Sequence, residues 1–278
     1  MIHIVLFLLT FASTYFAGGF LYSISVMAIL LCHEMGHYIA SRIYGIPATL
    51  PYFLPFPLSP FGTLGAVIKM KGIIINKKAL FDIGVAGPLA GFVISLPFIY
   101  IGIRLSTIGP APVGLGFLQL GDPLIFKLFQ ALLIGEIPAG YDLILHPFAY
   151  AGWVGVFVTA LNLIPVGQLD GGHIVYALFG ENSKKIYLFV LFGLGTYALF
   201  FSQGWLALIV LLLIFGMKHP IPLDNITELD RKRKMFAFII LIIFILSFVP
   251  KPFPEFTLGN EFKKKQEPKE VIVYLGAI

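Results

Sequence analysis

The chain has 278 residues, of which 58% are hydrophobic and only 12% charged, against about 25% charged in soluble domains. That composition excludes an ordinary soluble enzyme and predicts an all-α polytopic membrane protein. The formal net charge of +5 is then loop charge that sets topology, and it gives no ground for a nucleic-acid partner.

Residues 1–19 lack a charged leader and apolar segments continue to Val249, so no cleaved signal peptide is expected. Spanning helices are predicted over roughly 2–17, 20–43, 79–103, 148–179 (interrupted), 185–202, 204–217 and 235–249. That makes about seven transmembrane helices, within a range of six to eight. Those at 204–217 and 235–249 are short and need tilt or bilayer thinning to cross. Residues 1–249 form the membrane-embedded unit, with a core at about 20–180, and 250–278 form a tail.

Residues 46–62, IPATLPYFLPFPLSPFG, carry five prolines and cannot be a regular helix. They lead into TLGAVIKMKG, a strand-like stretch, so a Pro-rich re-entrant β-like segment is expected here, buried in protein or beside a wet cavity. The next helix follows Asn76, Lys77 and Lys78 and carries GVAGPLAG, where Gly87 and Gly91 stand four apart. That spacing lets two helix backbones approach closely. Asp82 is expected to pair with Lys77 and Lys78. In the long connection 104–147, Asp122 and Pro123 read as the N-cap and first turn of an interfacial helix.

Arg42, Lys69, Lys71, Lys77, Lys78, Lys184, Lys185, Lys218 and 231–234 fall on one side of seven crossings. The positive-inside rule makes that side cytoplasmic, with the N-terminus inside and the C-terminus outside. Lys251, Lys263, Lys264, Lys265 and Lys269 run against this assignment.

Within the second helix stands LLCHEMGHYIA. Ionisable groups at bilayer depth are costly and mark function. His33 and His37 are four residues apart, so they project from one helix face and can grip one ion. His-Glu-x-x-His on a helix is a zinc-binding arrangement in which the glutamate, here Glu34, acts as general base. The bland alternative, two histidines bonded to carbonyls, leaves three polar groups each needing a partner. The lone Cys32 points about 100° away from His33 and reads as a packing residue; it excludes an intramolecular disulfide and a multi-cysteine metal cluster. With Arg42 at the cytoplasmic interface, His37 lies about 7–8 Å inward and His33 about 13 Å.

Catalytic zinc usually takes three protein ligands and an open position. The fourth apolar stretch holds Asn162, Gln168, Asp170 and His173 around Pro165, Gly167, Gly171 and Gly172. A helix broken in this way suits a binding site. Either Asp170 or His173 could be the third ligand, with a mild preference for Asp170, the deeper and otherwise unpaired charge. Asn162 reads equally as a ligand or peptide contact and as an interhelical hydrogen bond. His3, His146 and His219 are expected in ordinary interfacial roles.

Three motifs, HEMGH at 33–37, GPLAG at 87–91 and NLIPVGQLDG at 162–171, occur in an order that resembles the site-2 proteases, polytopic zinc metalloproteases that cut proteins within the membrane. The likeness spans residues 20 to about 180. It implies one zinc ion per chain held by His33, His37 and Asp170, Glu34 as catalytic base, and Asn162 as a substrate contact. It also implies a core of three helices, the second to fourth, and a single-span membrane protein as substrate within the lipid bilayer. Such an enzyme is integral to the membrane and multi-pass, expected in the cell membrane, with its site nearer the cytoplasm. The connection 104–147 leaves no room for the PDZ domain of some relatives. A divalent-metal transporter is the rival reading; it leaves Glu34 unexplained, and no inverted repeat is seen.

Overall fold

The computed structural model describes residues 1–110, 118–202, 204–206, 209–210, 222–253 and 271–273. The first helix, α1, runs from Ile2 to Ile43 and breaks at Gly19, whose φ of 77° is left-handed and favours glycine. Thr14 Oγ1 and Ser23 Oγ lie 2.6 Å apart; nine residues of straight helix would separate them by about 13.5 Å. The chain therefore folds back at Gly19, and the expected helices 2–17 and 20–43 are the two arms. Gly45, at φ 68°, follows the C-terminus of α1.

The Pro-rich segment forms an antiparallel hairpin of β1 (Tyr52–Pro55) and β2 (Thr63–Val67), extended by a bridge between Ala48 and Met70. The first arm of α1 lies along it: His3 bonds to the Pro51 carbonyl at 3.1 Å and Phe7 packs edge-on against Phe53. At the tip, three consecutive carbonyls meet three hydroxyls from two helices. Tyr150 donates to Pro60 at 2.9 Å, Tyr22 to Phe61 at 2.9 Å and Ser13 to Gly62 at 2.6 Å. Irregular backbone among apolar helices needs partners of this kind. The two tyrosine rings stack at 4.6 Å, and Phe61 lies among Tyr150, Trp153 and Phe157.

Helix α2 (Lys77–Leu105) is capped by the Asn76 side chain, which accepts from the Ala79 N–H at 2.9 Å. Beyond it come β3 (Thr107–Pro110), β4 (Leu118–Leu120), α3 (Leu124–Leu133) and β5 (Tyr141–Ile144). With β6 (Val271–Val273) they make a second sheet of order β3-β5-β6-β4, parallel only between β5 and β6. The helix α3 is as expected except that Pro123, not Asp122, is its N-cap and no side chain caps it; this sheet is not expected, because its strands are three or four residues long and pair across long separations. Asp142 on β5 is buried and accepts from the Leu143 N–H at 2.7 Å; burial pushes its carboxyl up to about 6.

The interrupted helix is α4 (Pro147–Leu163) and α5 (Asp170–Phe179), followed by α6 (Ser183–Phe200) and α7 (Arg231–Ser247). His146 caps α4 by accepting from the Phe148 N–H at 3.3 Å. Helices α1, α2 and α4 pack on one another, with α5 against α2. Their shared core includes Val26, Ile29, Ile99, Ile103 and Trp153, each at most 2% exposed. By length and apolarity α1 and α2 qualify as candidate membrane spans, and α3 and α4 are shorter apolar helices. The expected helix 204–217 and His219 lie largely or wholly outside the described residues.

Candidate metal centre

His33, Glu34 and His37 are buried on the second arm of α1, where one helical turn brings the two imidazoles together edge-on, with ring centroids 4.9 Å apart. His37 Nδ1 lies 2.7 Å from the Ile83 carbonyl, so a proton there leaves Nε2 as an acceptor. That Nε2 is 3.2 Å from Nε2 of His33.

Asp170 arrives from the far side. After α4 the chain turns through Pro165 and Gly167, whose φ is 50°, and re-enters helix at Asp170. Gly171 and Gly172 make the turn possible: a Cβ would stand 2.1 Å from the Leu163 carbonyl oxygen at Gly171 and 2.3 Å from that of Gly167 at Gly172. Asp170 Oδ2 then lies 3.4 Å from His33 Nε2 and 3.2 Å from His37 Nε2. Ligand atoms of His33, His37 and Asp170 all fall within 4.8 Å of one another.

These distances fit the group that the motif implies. A zinc tetrahedron with bonds of 2.0–2.1 Å has edges of about 3.3–3.4 Å. Two imidazole acceptors and a carboxylate facing one another at such separations make a donor set for a cation. His173 is not in that set; it lies on α5 against Gly84, where a Cβ would meet its own Cβ at 3.1 Å. Cys32 is half-buried and also outside it.

Two further groups complete the site. Asn162, in the last turn of α4, places Nδ2 3.2 Å from His33 Nε2. Glu34 turns to the hairpin, its carboxyl facing the backbone at Ile68, just past β2. The small-residue motif of α2 is the floor beneath the histidines. A Cβ at Gly87 would stand 2.0 Å from His37 Nε2, and one at Gly91 would stand 2.9 Å from His33 Nδ1.

The expected pairing of Asp82 with Lys77 and Lys78 is corrected. Asp82 is held by Arg233 of α7 and by Tyr44. Lys77 and Lys78, five and four residues before it, form no ion pair with Asp82 among the described residues, whereas the guanidinium of α7 packs beside it. The Ile83 carbonyl was also missed, since nothing in a side-chain pattern marks a main-chain acceptor.

A family model, Peptidase family M50, matches residues 21–193. The chain is 33% identical over 237 residues to the probable zinc metalloprotease EGY1, chloroplastic, of Arabidopsis thaliana, covering 81% of this chain and 42% of that protein. It is 33% identical over 237 residues to the probable zinc metalloprotease EGY2, chloroplastic, of Oryza sativa subsp. indica (82% and 42%), and 32% identical over 243 residues to the protein of that name from Arabidopsis thaliana (84% and 42%). The chain thus spans about two-fifths of the length of these relatives.

Proposed function

The chain belongs to peptidase family M50, and from that premise we propose that it is a zinc-dependent intramembrane endopeptidase, hydrolysing peptide bonds within or near transmembrane segments of single-span proteins. The observation that carries this reading is the convergence of His33, His37 and Asp170 within 4.8 Å, beside a buried Glu34. Both candidate spans, α1 and α2, supply it: α1 carries the histidines and α2 the glycine floor.

When bound there, zinc would polarise the scissile carbonyl and lower the pKa of a nearby water. Glu34 takes the proton of the water as its oxygen bonds to the carbonyl carbon, then gives that proton to the amine as the C–N bond breaks. Ile83 holds the His37 ring in one orientation through Nδ1. The Asn162 amide, beside His33, is placed to bond the peptide under attack.

A substrate helix has its amides paired internally and must unwind to be cut. The outer edge of β2 runs down to Ile68, at Glu34, and would pair with the unwound strand. Gly65→Pro or Val67→Pro should impair cleavage while zinc stays bound; unchanged turnover counts against edge capture. The enzyme is multi-pass in this reading, with its site nearer the cytoplasm. Cysteines placed at Lys71 and Leu105 in a Cys32→Ser background should then label from opposite sides of the membrane.

The deciding experiment incubates the purified protein, with and without zinc, with a panel of single-span substrates and maps the cut by mass spectrometry. A zinc-dependent cut inside or beside the span is expected. Flux of zinc across proteoliposomes without any cleavage would replace this reading with transport.

A further inference from the structure

Arg233 stands outside both the three-helix core and the residues matched by the family model. It lies in the first turn of α7 and lays a two-pronged fork on Asp82, Nε to Oδ1 at 2.8 Å and Nη2 to Oδ2 at 2.5 Å. The same Nη2 donates to the Tyr44 hydroxyl at 3.1 Å, and that hydroxyl donates to Asp82. Asp230, the N-cap of α7, accepts from the Arg233 N–H at 3.0 Å and pairs with its guanidinium. Just before α7, Leu223 and Asp224 donate to the Ile74 and Ile75 carbonyls at 3.0 and 2.9 Å. Exposed ion pairs are worth little, but this one is a fork with side chains 26% and 31% exposed, in a network of four residues.

Two of these partners sit on the elements that build the metal centre. Tyr44 caps α1 seven residues beyond His37, two turns along the same helix. Asp82 precedes Ile83, whose carbonyl orients His37 through Nδ1. A hydrogen bond at the far nitrogen of a ligating histidine fixes its tautomer and ring plane. Anything that lets the start of α2 drift from the end of α1 therefore loosens a ligand.

We propose that Arg233 is a positioning residue of the metal centre: its fork locks the start of α2 to the end of α1 and so holds the Ile83 carbonyl on His37. The proposal rests on His33, His37 and Asp170 being a zinc site, and it needs no assumption about the substrate.

The test is zinc affinity of the full chain in detergent, by competition with a chelator. Arg233→Gln and Asp82→Asn should each weaken zinc about tenfold, the scale seen when partners of ligating histidines are lost. The double variant should be no worse than either single, because both remove one device. Arg233→Lys should fall between, since an ammonium keeps the charge and loses the fork. Arg231→Gln, at the exposed neighbouring position, should match the parent. The d–d absorption of the cobalt-loaded protein should also shift in Arg233→Gln, which undocking of α7 without displacement of His37 would not cause. Parental zinc affinity and an unchanged cobalt spectrum in Arg233→Gln would overturn the proposal, as would additive losses in the double variant. Should Arg233→Gln fail to fold, parental affinity in Arg233→Lys overturns it equally. A parent that binds no zinc removes the metal reading itself.

Discussion

The metal centre and the tip of the re-entrant hairpin both enclose polar groups among apolar helices, and they do so with opposite materials. At the metal centre the groups are ionisable side chains, and the arrangement calls for a cation to complete it. At the tip they are main-chain carbonyls of Pro60, Phe61 and Gly62, completed by hydroxyls of Ser13, Tyr22 and Tyr150. A charge buried without its partner is far more costly than an unpaired carbonyl. The first region should therefore fail in function when one atom changes, and the second should fail in stability.

The comparison breaks hardest at Glu34. Glu34→Gln keeps the shape and cannot take a proton, so turnover should fall by about 10²- to 10⁴-fold with about one zinc retained per chain. Turnover beside elemental analysis checks this, and an active variant sinks the assignment of the base. Asp170→Asn should lose zinc as well as activity, because an amide oxygen is a poorer ligand, whereas His173→Ala should keep its zinc. The reverse pair of results would name His173 as the third ligand. Gly87→Ala puts a methyl where His37 Nε2 stands and should empty the site although every ligand residue is retained.

The hairpin answers on another scale. Tyr22→Phe and Tyr150→Phe each remove the hydroxyl from one part-buried carbonyl, at about 1 kcal/mol. Lower thermal stability and faster amide exchange at the hairpin are expected, with zinc content unchanged. Loss of zinc in either variant would erase the distinction between the two regions.

The last effect concerns a buried carboxylate on β5, away from the metal centre. Folded Asp142 holds its proton up to about pH 6, whereas an unfolded chain releases it near 3.9. Stability should therefore fall as pH rises from about 4 to about 6, the unfolded state binding fewer protons there. Asp142→Asn should flatten that slope in thermal unfolding; an unchanged slope would assign it elsewhere.

What could be read beforehand follows the same division. His33 and His37 are legible because helical spacing alone brings them together, and Asp170 because a motif places it, chemistry giving it only a mild preference over its neighbour His173. The Gly18–Gly19 break was visible as a boundary, though not as a reversal of direction. Ser13, Tyr22 and Tyr150 were invisible: hydroxyls are common in apolar helices, and the carbonyls they serve leave no mark in a side-chain pattern. Asp82 was given to near neighbours because its partner stands 151 residues on. The sheet of β3, β4, β5 and β6 is built from strands too short to show a period.

The glycines of α2 and its neighbours bear on how a peptide reaches the metal. A Cβ at Gly36 would stand 2.4 Å from the Ala86 carbonyl oxygen, and one at Gly155 would stand 2.2 Å from Ser95 Oγ. Both seams of α2, with α1 and with α4, are thus closed to van der Waals contact of main chain and small side chains. No polypeptide can slip between them without prising the backbones apart. Another flank is the one along which the hairpin hangs, between Tyr22 and Ser13 on one side and Tyr150 on the other. Among the described residues, a route that spares both seams along this flank has a strand for its jamb.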